Sequence, residues 1–328
     1  MSREFPYPLR FTPLIKQTIW GGSKLGKLLG KAIGDQGNYA ESWEVVDHGP
    51  DQSVVENGVL AGKTLGDLVR DDPRWLLGTS LAMELSENDG FPLLLKYLDC
   101  NRVLSVQVHP DDRYGATMPV PDRGKTEAWY VVDAEPGSLV YAGLKEGVDR
   151  QVLAQAMAAG ETDSVLHSFH PSPGDCVFIP AGTVHALGAG LVIAEIQQSS
   201  DTTFRLFDWN RLGADGQPRP LHLEQSLDVS DYESGPVRPR HSDATAKGWQ
   251  HLVQCDKFRL SSLETGSDAV GGDQVFHLLT VPRGVATLVT PQETLAINQG
   301  QSILLPASMP ECSVAVQDGS TLLAARAV

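Results

Sequence analysis

The sequence predicts a mainly β chain folded as two jelly-roll barrels with a few short helices, on three observations. Short apolar or alternating runs separated by Gly, Pro and Asp dominate from about Phe91 onward, as in antiparallel strands joined by turns. Helical periodicity is confined to a few short stretches. The two halves also echo one another. GDCVFIPAGTVH (residues 174–185) and GQSILLPASMPE (residues 300–311) share a Gly-x5-Pro frame, which a duplicated barrel explains.

In chain order, Thr64 with Asp67 can cap a turn carrying Leu65, Leu68 and Val69. The runs VLSVQVH, EAWYVV and SLVYAGL then read as strands. Asp149 precedes Val152, Leu153, Ala156 and Met157, with Gly160 as the stop, so a second helix is expected there. DCVFIP and LVIAEIQ are further strands, and a third short helix is expected over residues 221–227. From Ser230 to Gly248 the apolar periodicity disappears, and Pro236 and Pro239 stand among charged and small residues. The expected division is an N-terminal domain over residues 1–235, a linker over 236–248 and a second barrel over 249–328. FRLSSLE, QVFHLLTV, GVATLVT, QSILLP and STLLAARAV supply the second barrel's strands. In it Glu311 stands where His185 stood and Ser308 where Gly182 stood, so it is expected to lack metal ligands.

With 328 residues, 41% of them hydrophobic, the chain is large enough for two cores. A formal charge of −15 opposes binding to nucleic-acid backbones and anionic membranes. A small anionic substrate is still accommodated where Lys and Arg cluster in a cleft. No run is apolar and long enough for a signal peptide or a membrane span, so a soluble, cytoplasmic protein is expected. The four cysteines, Cys100, Cys176, Cys255 and Cys312, form no metal-binding spacing and read as reduced, mostly buried small hydrophobes.

Strand alternation in VLSVQVHP places Val103, Ser105, Gln107 and His109 on one face and Leu104, Val106 and Val108 on the other. Alone, this reads as readily as a half-exposed strand with its polar face in water. A second segment changes the balance. Residues 174–185 resemble the second cupin motif, Gly-x5-Pro-x-Gly-x2-His, in which Pro180 and Gly182 end a buried strand in a tight turn and return His185 toward the barrel interior. The Asn that usually follows four positions later is Ala189 here. In the place of the first cupin motif stand Gln107-x-His109 and, after a long gap, Glu127.

QVHPDD, GKTEAWYV, PAGTVHALG and SSDTTFRLFDWNR together resemble the type I mannose-6-phosphate isomerases in their shorter bacterial form, within the cupin superfamily. WGG at residues 20–22 and AESWEV at residues 40–45 fit as well. The resemblance implies that Gln107, His109, Glu127 and His185 ligate one divalent metal per chain, zinc most often. Two imidazole nitrogens and two oxygens suit zinc and also other divalent ions. It implies interconversion of mannose 6-phosphate and fructose 6-phosphate through a metal-stabilised cis-enediol. Arg205 matches the family's active-site arginine, stabilising the enediolate or clamping the phosphate. Lys125 lies two residues before Glu127, so in an extended segment both side chains emerge on the same face; this makes it a candidate proton shuttle or phosphate contact, against the reading of a plain loop lysine. Lys96, Ser105, Glu41, Asp201 and Arg211 match substrate-pocket positions, and Glu195 supports the pocket. Longer relatives carry a tyrosine where Leu187 stands, and a helical insertion that this chain lacks.

The remaining histidines, His167, His170, His222, His241, His251 and His277, read as satisfied or solvent-exposed imidazoles. The partner implied is a small sugar phosphate; monomer and homodimer are both open. Two other readings compete: a cupin metal-dependent oxygenase, and a non-catalytic sugar-binding module. Gln107, Lys125 and Arg205 argue against the oxygenase.

Overall fold

The computed structural model describes residues 6–86, 89–213 and 216–328. Strands dominate, and they group into two pairs of facing antiparallel sheets. In the first pair, a seven-stranded sheet runs Arg240–His241, Asp175–Ile179, Glu127–Ala134, Leu191–Gln198, Leu93–Cys100, Tyr39–Val45 and Leu14–Gly22. Its partner runs Leu166–Phe169, Val140–Leu144, His185–Leu187, Val106–Val108 and Phe204–Phe207. The second pair sets a sheet of Gln250–Gln254, Phe258–Leu263, Thr321–Ala327, His277–Arg283 and Ser302–Leu305 against one of Gly266–Val270, Cys312–Val316, Val285–Val289 and Thr294–Asn298.

The echo between the halves extends to topology. The order 175–179, 127–134, 191–198, 93–100 in the first sandwich recurs as 302–305, 277–283, 321–327, 258–263 in the second. Gly174 and Gly300 both have φ near the left-handed region, at 97° and 79°, where a glycine avoids the clash of a Cβ.

Alternation assigns each strand face to a different core. Leu98, Trp129, Val131 and Ile193 point between the first two sheets and meet Val140, Ala142 and Leu187. From the same strands Leu95, Tyr97, Ala128, Tyr130 and Ala194 point out of the back of the seven-stranded sheet. There they pack against Phe258, Leu260, Leu278, Leu323 and Ala325 of the second sandwich. Strands buried on both faces are continuously apolar, which is why LVIAEI lacks the polar alternation of a solvent-facing strand. The second sandwich therefore packs on the back of the seven-stranded sheet, over the strands 93–100, 127–134 and 191–198.

The outer face of the five-stranded sheet is closed by helices Arg150–Ala159 and Leu223–Val229, whose Leu153 and Leu227 join Val106, Val108, Phe204 and Leu206. The first of these is capped by the Asp149 side chain and ends at Gly160 in the left-handed conformation. The Leu65–Asp71 helix carries the Thr64–Asp67 capping box. The third expected helix begins two residues late, because the His222 N–H donates to the Arg205 carbonyl before the helix starts. Four further short helices, Lys24–Lys27, Pro73–Leu77, Thr79–Glu84 and Asp112–Thr117, had no periodic signal strong enough to read.

The segment read as a linker is docked. Arg240 and His241 pair with Cys176 and Asp175, and the Val237 N–H donates to the Ala142 carbonyl. Near the other end of the chain, Leu9 and Leu304 exchange backbone hydrogen bonds of 2.8 and 2.9 Å. The N-terminal segment therefore ties the second sandwich to the first. The four cysteines are free thiols, and all but the half-buried Cys255 are buried. No described helix is long and apolar enough to cross a membrane.

Candidate metal centre

Three strands bring the expected ligands together. Gln107 lies in register with His185 on one side and with Arg205 on the other. Glu127 opens the strand of the facing sheet that pairs with Ile179 and Gln197. The turn between Ile179 and His185 depends on Gly182, which has φ 87° and whose N–H donates to the His109 carbonyl at 2.8 Å. A Cβ there would lie 3.0 Å from the Val229 carbonyl oxygen, so Gly182 both makes the turn and locks the two histidine segments together.

His109, Glu127 and His185 are all buried, and one potential ligand atom from each lies within 4.8 Å of the others. Each histidine donates from Nδ1 to a main-chain carbonyl, His109 to Thr202 at 2.9 Å and His185 to Thr183 at 2.8 Å. These bonds fix the tautomer and leave both Nε2 lone pairs facing Glu127, whose oxygens lie 3.6 Å from His109 Nε2 and 3.4 Å from His185 Nε2. Burial pushes the His185 imidazole down to about 4 and the His109 imidazole well below its usual value, with Lys125 adding repulsion in both. Both rings are therefore neutral near pH 7, as ligation requires.

A cation already sits against this donor set. The Lys125 ammonium donates to His109 Nε2 at 2.9 Å and to Glu127 Oε2 in a short contact. Two imidazole nitrogens and a carboxylate converging on one buried point, with a positive charge attracted to them, fit a divalent ion.

Around the ligands lies a charged wall. Lys96 is buried and ion-paired to Glu195 at 3.2 Å and Glu41 at 3.4 Å. Burial alone would lower its pKa, but Glu195 and Glu41 outweigh that and raise it, so Lys96 stays charged. Glu195 is itself raised, first by burial and then by Glu127. Glu41 also accepts from the Trp43 indole at 2.7 Å. Arg205 Nε donates to Ser105 Oγ at 3.2 Å, Gln107 Nε2 donates to the same hydroxyl at 3.0 Å, and an Arg205 terminal nitrogen donates to the Pro220 carbonyl. Burial, and then repulsion from Arg219, lowers the Arg205 pKa. Asp201 is exposed at the rim.

These groups share one cavity of about 390 Å3, which holds Gln107, His109, Glu127, His185, Lys125, Lys96, Glu41, Ser105, Asp201 and Arg205. A larger cavity of about 710 Å3 lies beside His48 and Asp122 but carries no His–Glu–His cluster. Two sequence expectations are corrected. Arg211 does not line the cavity: its guanidinium is held by Asp208 at 2.9 Å and by the Val103 carbonyl. Arg219 enters in its place, oriented by a two-pronged contact to Asp208 at 2.6 and 2.7 Å. Leu104, assigned by alternation to the opposite face from Gln107, lines the cavity with it, because the strand begins only at Val106. Trp129, whose ring stands edge-on to His185 at 5.2 Å, and Trp20 also line the wall. Leu187 adds an apolar patch.

Over residues 9–142 the chain matches the family model described as phosphomannose isomerase type I, catalytic domain. Mannose-6-phosphate isomerase ManA of Bacillus subtilis (strain 168) is 35% identical, covering 93% of this chain and 94% of that protein. The mannose-6-phosphate isomerase of Streptococcus mutans is also 35% identical, over 91% of this chain and 92% of its own length. The crystal structure of the mannose 6-phosphate isomerase from Bacillus subtilis superposes with a TM-score of 0.86 at 30% identity, covering 97% of this chain and 99% of that one.

Proposed function

The chain belongs to the family of type I phosphomannose isomerases, and on that premise we propose how its own residues interconvert mannose 6-phosphate and fructose 6-phosphate. The isomerase names of these relatives set aside the oxygenase and the non-catalytic binder. One observation carries the assignment of roles: His109, Glu127, His185, Lys125 and Arg205 all open into a single cavity.

We assign His109, Glu127 and His185 as ligands of one divalent ion, with Gln107, in register with His185, as the fourth. We assign the ion as zinc, which two nitrogens and two oxygens in a buried site suit as they suit other divalent ions. When bound, the ion supplies Lewis acidity toward the sugar oxygens on which charge develops.

Aldose–ketose interconversion removes a proton from C2, delivers one to C1 and shifts one between the two oxygens through a cis-enediol. Lys125, the buried amine in contact with His109 and Glu127, carries protons between these positions. Lys96, kept charged by Glu195 and Glu41, is fixed beside the same oxygens and contributes electrostatic stabilisation without moving. Arg205, held by Ser105 and Pro220, faces the enediolate, and Arg219 faces the phosphate, so two neighbouring guanidiniums meet a dianionic substrate. Asp201 at the rim accepts from sugar hydroxyls. The buried free thiols fit the expected cytoplasmic location.

Incubating zinc-loaded protein with mannose 6-phosphate and assaying fructose 6-phosphate tests the reading. Turnover that depends on the loaded metal is expected; absence of turnover with metal content verified would overturn it.

A further inference from the structure

The second sandwich repeats the strand order of the first and reverses the charge at its mouth. Leu305 pairs with His277 as Ile179 pairs with Glu127, and Ser261 pairs with Ala324 as Lys96 pairs with Glu195. His277 thus takes the place of the ligand carboxylate, and a serine and an alanine take the place of the buried Lys96–Glu195 pair. The shorter side chains leave a cavity of about 220 Å3.

One step further along the strands, Arg259 and Arg326 stand directly opposite each other. Their neighbours Phe258, Leu260, Ala325 and Ala327 pack toward the first sandwich, so both arginines belong to the inner face, and both line the cavity. Like charges paired across strands destabilise a sheet unless something answers them. The answer within the protein is incomplete. Arg259 Nε is buried without a hydrogen-bond partner, and Arg326 comes only within 4.0 Å of Asp273, which is already engaged with His277 Nε2 at 2.9 Å. Asp273 is the one acid among the residues lining the cavity, while His251 and Trp249 complete the wall.

We propose that this mouth is a binding site for a phosphate group, presented as orthophosphate or as a phosphate monoester. Two planar guanidinium forks and two imidazoles suit a dianion with several terminal oxygens. A carboxylate, with one charge and two oxygens, would leave an arginine unanswered. The cavity is smaller than the roughly 300–1,000 Å3 of drug-sized pockets, which matches an anionic head. Trp249, whose indole N–H donates to the Ala269 carbonyl at 2.8 Å, also lines the cavity and reports on its occupancy.

The test titrates zinc-loaded, full-length protein with inorganic phosphate, and separately with glycerol phosphate, following tryptophan fluorescence and calorimetric stoichiometry against sodium chloride of equal ionic strength. A fluorescence component that is absent in Trp249→Phe is expected, and the binding it reports is expected to weaken about tenfold or more in Arg259→Gln and Arg326→Gln. Those variants are expected to keep wild-type isomerase turnover, which verifies their folding, whereas Arg205→Gln is expected to lose turnover and keep the Trp249 signal. A response to both phosphates identifies the phosphate group as the ligand; a response to one alone identifies its source. An equal response to sodium chloride, or unchanged phosphate stoichiometry in both arginine variants, would overturn the proposal.

Discussion

The Lys125 ammonium lies 2.9 Å from His109 Nε2, on the lone pair that the histidine presents to Glu127 and His185. A bound metal and this ammonium compete for the same nitrogen. Lys125→Met is therefore expected to bind zinc at least as tightly as the native protein while kcat falls roughly 10²–10⁴-fold, the range of a lost proton-transfer group. Zinc titration with a chromophoric competitor, alongside steady-state kinetics, checks both halves. Weaker zinc binding in this variant would contradict the competition.

His109→Ala and His185→Ala are expected to lose metal and turnover together, since each removes one of the three clustered donors. Arg205→Ala is expected to retain one metal per chain and lose about 10²–10³-fold in kcat, as an electrostatic contributor does. Elemental analysis paired with turnover separates the two classes.

Asp122 supports the site at one remove. It accepts from the Thr202 hydroxyl at 2.7 Å and the Ser200 hydroxyl at 2.9 Å, and the Thr202 carbonyl is what fixes His109. Asp122→Asn is expected to weaken metal affinity roughly 10–100-fold with the fold intact. Circular dichroism and zinc titration read the two effects independently.

The same carboxylate makes one contribution to stability depend on pH. Its hydrogen bond raises the His48 pKa, against burial that lowers it. Burial would raise the Asp122 pKa, but His48, Thr202 and Ser200 outweigh it and hold the carboxyl well below its usual range. A raised histidine stabilises fully below its unfolded pKa of about 6.5 and loses that contribution as pH rises through the folded value. A depressed carboxylate stabilises above about 3.9 and loses its contribution as pH falls through its folded value. The pair thus contributes most between about pH 4 and 6.5. His48→Leu is expected to cost more stability at pH 5.5 than at pH 8.5, by about 1 kcal/mol or less for a partly exposed pair. Denaturant melts at the two pH values give the difference.

Removal of the second sandwich uncovers the back of the catalytic sheet. Tyr97, fully buried, bonds through its hydroxyl to Thr280 at 2.6 Å, and Leu95 and Tyr130 pack in the same interface. A chain ending at residue 248 is expected to aggregate or to lose its cooperative thermal transition. A soluble, cooperative fragment with full turnover would contradict that.

The parts legible in the sequence are those whose signal is local. Pro180, Gly182 and His185 lie within one turn, and Asp149 and Gly160 mark their helix from its own ends. Lys125 and Glu127 are neighbours whose spacing already placed them together. The parts that were not legible depend on distant packing. Leu104 reads as alternating with Gln107, yet its strand starts two residues later. Arg219 sits in the proline-flanked PRP triplet with no periodicity, and its place follows from Asp208, which takes Arg211 as well. The docking of residues 236–241 and the Leu9–Leu304 bridge are backbone pairings without a composition signal.

The most direct measurement strips the metal with a chelator and restores zinc in steps while mannose 6-phosphate turnover is followed. Activity is expected to vanish on stripping, rise linearly and break at one zinc per chain, with His185→Ala showing no recovery. Full turnover in the stripped protein, or recovery in His185→Ala equal to that of the native chain, would contradict a metal centre built from His109, Glu127 and His185.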